Sequence, residues 1–226
     1  LQYILVVGAS RGIGLALVEN YLQQGHQVFA TLRKAGNSAL DALSRKHPGK
    51  LTQILCDLTD TDAVATIEAA LGDITLDVAL FNAGIKGPDS LDDASKEEVA
   101  SLFITNTLAP VRMARRLSHR VSPQGVIAFT SSQMGSVSLA LSASMPLYGA
   151  SKAALNSLLQ SWNQAEDKPA STLLALHPGW VKTDMGGENA AVNVTESATG
   201  LIETIQGFYG VGGCHFADYR QRPMPW

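Results

Sequence analysis

Short runs of β-branched and other apolar residues alternate, along the whole chain, with longer stretches whose apolar positions recur every three or four residues. The runs at 2–7, 27–32, 50–55, 77–81, 124–130 and 171–177 predict strands, and a weaker run at 211–216 predicts a seventh. Ile4-Leu5-Val6-Val7 and Val126-Ile127-Ala128-Phe129 are apolar on both faces, as a parallel strand covered by helices above and below requires. The stretches between predict helices at about 12–24, 38–46, 60–71, 95–118, 148–166 and 195–206, the third opened by Thr59 or Asp60 as its cap. This alternation implies an α/β fold with a doubly wound sheet, mostly or fully parallel, of about seven strands. Nothing in the 226 residues looks like a linker, so residues 1–226 are expected to form a single domain. Gly/Ser/Met-rich segments at 133–147 and 184–194 follow strand ends, where a doubly wound sheet forms its ligand crevice. They are expected to line or cover the site.

Composition narrows the choice. Charged residues are 16% of the chain and the formal charge is −3, with no Lys/Arg cluster, so there is no electrostatic footprint for nucleic acid. Apolar residues at 46% supply ample core and exclude disorder. No span has the roughly 18 uncharged apolar residues of a membrane helix, so no membrane partner is expected. Gln2-Tyr3-Ile4-Leu5-Val6-Val7 lacks the basic start and small-residue cleavage site of a signal peptide, and a cytoplasmic address is expected. Cys56 and Cys214 have no CxxC spacing, and His26, His47, His119 and His215 are scattered, so neither a disulfide framework nor a metal site is expected.

After the first predicted strand comes Gly8-Ala9-Ser10-Arg11-Gly12-Ile13-Gly14, running directly into a helical apolar period. Such a turn lets backbone N–H groups and a helix N-terminus close on a pyrophosphate, although a tight strand-to-helix turn with no ligand would use the same glycines. The second strand ends Val28-Phe29-Ala30-Thr31-Leu32-Arg33, with Leu32 where an acid would receive an adenosine ribose. Arg33 and Arg11 could instead converge on a 2′-phosphate, which favours NADP(H) over NAD; solvated surface arginines are the alternative. Asp57-Leu58 follows the third strand, where the carboxylate would meet an adenine amino group or cap a helix. Asn82-Ala83-Gly84 ends the fourth with residues small enough for close approach of a cofactor, or for a plain turn.

Tyr148 and Lys152 are four residues apart on a predicted helix and therefore share one face. A free phenol titrates near pH 10, so use near neutrality requires lowering its pKa by about 3 units, or roughly 4 kcal/mol. An ammonium at about 4 Å supplies about that much at an effective dielectric of 20 but only about 1 kcal/mol in water, so the pair has to be buried.

The glycines at 8, 12 and 14, Asn82-Ala83-Gly84, Asn106, Ser131-Ser132, Tyr148-Gly149-Ala150-Ser151-Lys152 and Pro178-Gly179 follow one another in an order that resembles the short-chain dehydrogenase/reductase superfamily over nearly the whole chain. Ser131-Ser132-Gln133-Met134-Gly135-Ser136, the run from His177 to Gly187, and Pro225-Trp226 resemble its C-factor-like and sniffer-like carbonyl reductases. Val7 departs from the usual Thr, and the spacing from Ser132 to Tyr148 is longer than common, which implies an altered substrate loop. The resemblance implies a Rossmann domain in which Tyr148 protonates a carbonyl oxygen and Lys152 also holds the nicotinamide ribose. It further implies that Ser132, with Ser131 as its rival, binds the substrate oxygen. Asn106 would fix a water linking Lys152 to solvent, and Val181 and Thr183 would meet the carboxamide after the Pro178-Gly179 turn. Donors fixed in advance at that oxygen stabilise the developing charge more than the ground-state carbonyl. His177 is expected to be a packed strand-end residue.

The expected activity is NADP(H)-dependent reduction of a small-molecule carbonyl, or oxidation of the matching alcohol. Met134, Leu139, Leu141, Met145, Trp180 and Met185 suggest an apolar pocket under loops, or residues that pack those loops down. Leu102, Phe103, Val111, Leu155, Leu158 and Trp162 lie on helices that pair between subunits in the family, so a homodimer or homotetramer is expected. Two other activities are considered. A reductase of 3-oxoacyl thioesters would need a basic patch, for which Lys182, Arg112, Arg115 and Arg116 are the candidates. A cofactor-binding signalling or sensor protein would bind nucleotide without turnover.

Overall fold

In a computed structural model describing residues 1–226, seven strands form one sheet in the order β3-β2-β1-β4-β5-β6-β7, every neighbouring pair parallel. They are β1 (Tyr3–Val7), β2 (Gln27–Leu32), β3 (Leu51–Leu55), β4 (Leu76–Phe81), β5 (Val121–Thr130), β6 (Thr172–His177) and β7 (Cys214–Asp218). The connecting helices are α1 (Gly12–Gln23), α2 (Ser38–Lys46), α3 (Ala63–Leu71), α4 (Lys96–Phe103), α5 (Ala109–Leu117), α6 (Pro146–Gln164) and α7 (Val194–Gly207). This is the doubly wound α/β arrangement that the hydrophobic pattern predicted. Strand order reverses between β1 and β4, and a crevice opens there at the carboxyl ends of the strands.

The two-sided strands divide their residues by parity. Leu5, Val7, Phe81, Ile127 and Phe129 pack with α3, α5 and α6 on one face. Ile4, Val6, Leu80, Val126 and Ala128 pack with α1, α2 and α7 on the other. The rings of Phe81 and Phe129 stack at 5.1 Å between neighbouring strands. Close packing at the nucleotide end needs Gly14, because a Cβ there would lie 2.1 Å from the Gly8 carbonyl oxygen.

The structure differs from the sequence reading at several boundaries. Neither Thr59 nor Asp60 caps the third helix, which begins at Ala63 after an Asp62 that makes no side-chain cap bond. The Asp57 carboxylate explains this: it accepts from both the N–H and the hydroxyl of Thr59, at 2.9 and 2.7 Å, and turns the chain before the helix can start. The seventh strand starts at Cys214 rather than 211, because Gly212 and Gly213 hold φ of 70° and 71°. The helix expected over 95–118 is α4 and α5 joined by a wider π-helical turn, Ile104–Leu108. Of the residues named on the helices expected to pair between subunits, Leu102, Val111, Leu155 and Trp162 are buried within the chain, the last three in the core cluster against the sheet. No helix is long and apolar enough to cross a membrane.

Phe129→Ala removes a buried ring from between β4 and α6, and we expect a loss of about 3–5 kcal/mol in urea unfolding. A loss below about 1 kcal/mol would mean that this layer is not close-packed.

Candidate active site

The crevice at the strand reversal encloses about 1430 Å3 and runs from Arg11, Arg33 and Asp57 at one end to Ser132, Tyr148 and Lys152 at the other. At the first end Gly8 donates its N–H to the Thr31 hydroxyl at 3.0 Å, which ties the glycine turn to β2. Arg11 stands at the N-cap of α1 and makes no side-chain cap bond, so the amides of the first helical turn are left for a ligand or solvent. Gly12 and Ile13 of that turn line the crevice. Uncapped amides, a glycine turn and two arginines form a donor set that fits the phosphates of a dinucleotide.

The floor is held by Asn82, whose amide donates to the Gly8 carbonyl at 3.1 Å and whose oxygen accepts from Thr130 Oγ1 at 3.0 Å. One side chain thus ties the ends of β1, β4 and β5 together. Thr130 also presents its carbonyl to Lys152 Nζ at 2.7 Å. Lys152 lies one turn along α6 from Tyr148, with its ammonium 5.8 Å from the centre of the phenol ring. The π-helical turn places Asn106 inward, where its oxygen accepts from the Ile85 N–H and its amide donates to the Ile85 carbonyl, both at 2.8 Å. The same amide reaches Ser151 Oγ at 3.1 Å, and Thr107 Oγ1 donates to the Ser151 carbonyl, so α6 is fixed one residue before Lys152. A Cβ on Gly84 would sit 3.2 Å from Asn106 Oδ1 and 3.6 Å from Lys152 Nζ. The missing side chain therefore leaves the two polar groups a shared space.

Ser131 and Ser132 are separated by their partners. Ser131 Oγ donates to Asn156 Oδ1 at 2.7 Å in the interior. Ser132 lines the crevice and its Oγ accepts the Met134 N–H at 3.1 Å, which leaves its own hydrogen free to be donated. Pro178, Gly179, Val181 and Thr183 line the opposite wall. Gly179, at φ 87°, turns the chain where a Cβ would strike the Tyr219 ring.

Electrostatics departs from the sequence reading. Burial pushes the Tyr148 phenol up to about 12, with the Ser132 side chain opposing the rise. The Lys152 ammonium is itself buried, faces the Thr130 carbonyl, and is pushed down to about 8 by the loss of water. Burial by the protein alone raises the phenol.

Every residue expected at the site lines the crevice except Gly14 and Asn106, which act from behind it. Gly14 holds α1 against β1, and Asn106 braces Ile85 and α6. Arg11 differs in its partner: Nη1 pairs with Asp184 Oδ2 at 2.5 Å across the crevice mouth, while Arg33 stays exposed. His177 reaches the crevice edge, with burial pushing its ring down to about 4. Met134, Met145, Trp180 and Met185 line the crevice, whereas Leu139 and Leu141 are exposed outside it. Sequence reasoning missed Thr31 and Thr130, the hydroxyls that tie strand ends, and Ile85 and Ile104 on the wall. A threonine at each strand end was the available signal for the first two; the wall residues carry none.

Residues 2–193 match the family model for short chain dehydrogenases. A carbonyl reductase from Pseudomonas aeruginosa PAO1, solved in complex with NADP, is 48% identical and superposes with a TM-score of 0.94, with both chains fully covered. The carbonyl reductase Sniffer of D. melanogaster is 29% identical at a TM-score of 0.86, again over the full length of both. C-signal of Myxococcus xanthus is 31% identical over 154 residues, which cover 67% of this chain and 93% of the relative.

Because burial disfavours the ammonium, Lys152 should release its proton near pH 8 rather than at the ordinary 10.5. NMR titration of side-chain-labelled lysines should show one signal moving near pH 8 that disappears in Lys152→Met. All lysines titrating together above pH 10 would contradict it.

Proposed function

The chain belongs to the short chain dehydrogenase family, and from that premise we propose that it is an NADP(H)-dependent reductase that converts the carbonyl of an aldehyde, ketone or quinone to an alcohol. The observation that carries this reading is one crevice with Arg11 and Arg33 at one end and Ser132, Tyr148 and Lys152 at the other. NADP(H) would be held by Gly8, Ser10, Arg11, Gly12, Ile13 and Gly14 at the phosphates and by Arg33 at the 2′-phosphate. Asp57 and Leu58 would meet the adenine, and Asn82, Ala83 and Gly84 the sugar and ring side. Pro178, Gly179, Val181 and Thr183 would hold the carboxamide, and Tyr148 and Lys152 the nicotinamide ribose. When bound, the cofactor supplies the hydride.

The protein side chains do the proton work. Tyr148, with its phenol near 12, starts protonated at neutral pH. It can give that proton to the substrate oxygen as negative charge develops there. Ser132 donates its free hydrogen to the same oxygen, and charge growing there strengthens that bond. Lys152 can return a proton to Tyr148, and Asn106 sits beside the Gly84 space through which a water would connect that lysine to solvent.

Four apolar side chains, Met134, Met145, Trp180 and Met185, line the crevice beyond Ser132 and suit an uncharged carbonyl. For the thioester reading Lys182 lines the crevice, whereas Arg112, Arg115 and Arg116 lie on α5 outside it and Arg115 is paired with Asp167. Exposed Ile104 and Leu108, one helical turn apart, offer a face for a homodimer or homotetramer.

Purified protein should oxidise NADPH with at least one member of a panel of aldehydes, ketones and quinones. Cofactor binding without turnover over a broad panel would favour the sensor. Tyr148→Phe is expected to lower kcat at least 100-fold while weakening NADPH by no more than about tenfold, the loss of one ribose hydrogen bond; unchanged turnover would eliminate the acid. Arg33→Ala should weaken NADPH at least tenfold and NADH less than twofold, measured by fluorescence titration. Equal losses would remove the 2′-phosphate assignment.

A further inference from the structure

We propose that the segment Arg222–Trp226 is a positioning arm that holds the Ser132–Ser138 turn behind the crevice lining, through the main-chain oxygen of Trp226. The kinetic part rests on the carbonyl-reductase reading; the structural part does not.

The arm is built from its base. Asp218, at the end of β7 and almost wholly buried, accepts from the N–H groups of Arg220 and Arg222 at 2.9 and 3.0 Å and from Arg222 Nε at 2.7 Å. These bonds from Arg222 and Arg220 hold its carboxyl below the usual carboxylate range despite burial. They fold the chain back on itself, so that Asp218 N donates to the Arg222 carbonyl and Met224 N to the Phe216 carbonyl, at 3.0 and 2.9 Å. The returning segment runs antiparallel to β7, with Pro223 opposite Ala217. Its indole, Trp226, lies 5.4 Å from the Phe216 ring and packs on the core between the sheet and α6.

At its far end the arm meets the turn that follows Ser132. The Trp226 carbonyl accepts from the Ser138 hydroxyl at 2.7 Å, from the Ser138 N–H at 3.1 Å and from the Ser136 hydroxyl at 3.4 Å. From there a short series of bonds reaches the site. Ser136 N donates to the Gln133 carbonyl, Gly135 N to the Ser132 carbonyl at 2.8 Å, and Met134 N to Ser132 Oγ. The Ser132 hydroxyl is thus oriented by a single tight turn. α6 braces the near side of that turn, where a Cβ on Gly135 would collide with Lys152, and Trp226 pins the far side. The longer spacing from Ser132 to Tyr148 makes such a pin useful, since the loop from Val137 to Leu141 is largely exposed. One carbonyl receiving three donors converts core packing at Phe216 into the orientation of a hydroxyl in the crevice.

The test uses the full chain and the variants Trp226→Ala, Trp226→Phe and Ser138→Ala. Amide hydrogen exchange at Met134, Gly135, Ser136 and Ser138 should accelerate at least tenfold in Trp226→Ala and stay near wild type in Trp226→Phe. With a carbonyl substrate, Trp226→Ala should lower kcat/KM at least fivefold while the NADPH dissociation constant stays within twofold. If Trp226→Ala does not fold, accelerated exchange at Met134 and Gly135 in Ser138→Ala supports the arm. Unchanged exchange at Met134 and Gly135 in a folded variant overturns it, as does an equal loss of NADPH affinity, which would mark general loosening. If the wild type turns over nothing, the functional reading fails while the exchange result still decides the arm.

Discussion

The arrangement of the site depends on one bond, from the buried Lys152 ammonium to the Thr130 carbonyl. An ammonium removed from water is costly unless its hydrogens find oxygens, and the end of β5 supplies one at 2.7 Å. The cost remains visible in the lowered pKa of the lysine. It is carried at the place where a parallel sheet leaves a crevice, and the same strand end holds the Asn82 tie that keeps β1, β4 and β5 together. Sheet geometry and the position of the charge are therefore one problem, solved by Thr130 with its hydroxyl on one side and its carbonyl on the other.

The π-helical turn between α4 and α5 is the second device of this kind. A regular helix through Ile104–Leu108 would carry Asn106 along its ordinary 3.6-residue spiral; the wider turn lets it face Ile85 and Ser151 together. With Thr107 bonded to the Ser151 carbonyl, the wide turn docks on α6 at the residue preceding Lys152. The energetic loss of an irregular turn is offset by bonds that fix the helix carrying Tyr148 and Lys152.

Charge at the opposite end is arranged more loosely. Arg11 and Asp184 are both mostly solvent-exposed, at 73% and 78%, so their pair is worth little to stability. It does join the glycine turn to the loop after β6, where a Cβ on Gly12 would also meet the Thr183 methyl. A phosphate arriving there competes with a single carboxylate for a flexible guanidinium, which is a small obstacle.

The sequence by itself determined the layers and the identity of the chemical residues. Two-sided apolar strands have one way to be covered on both faces, and Tyr148 and Lys152 share a helix face by spacing alone. Gly8, Gly12 and Gly14 were legible for the same reason, since a strand-to-helix turn that tight excludes side chains. Only the tertiary structure decided what those residues experience. The phenol is raised by its own burial, and the Lys152 ammonium beside it is turned to the Thr130 carbonyl of another strand; no spacing records either. Ser132 was separated from Ser131 by Asn156 and Met134, Arg11 acquired Asp184 from 173 positions away, and Trp226 reached Ser138 from 88. Local pattern sets which face a residue presents. Partners brought from distant strands and loops set its charge and direction, and these exist only once the sheet has closed.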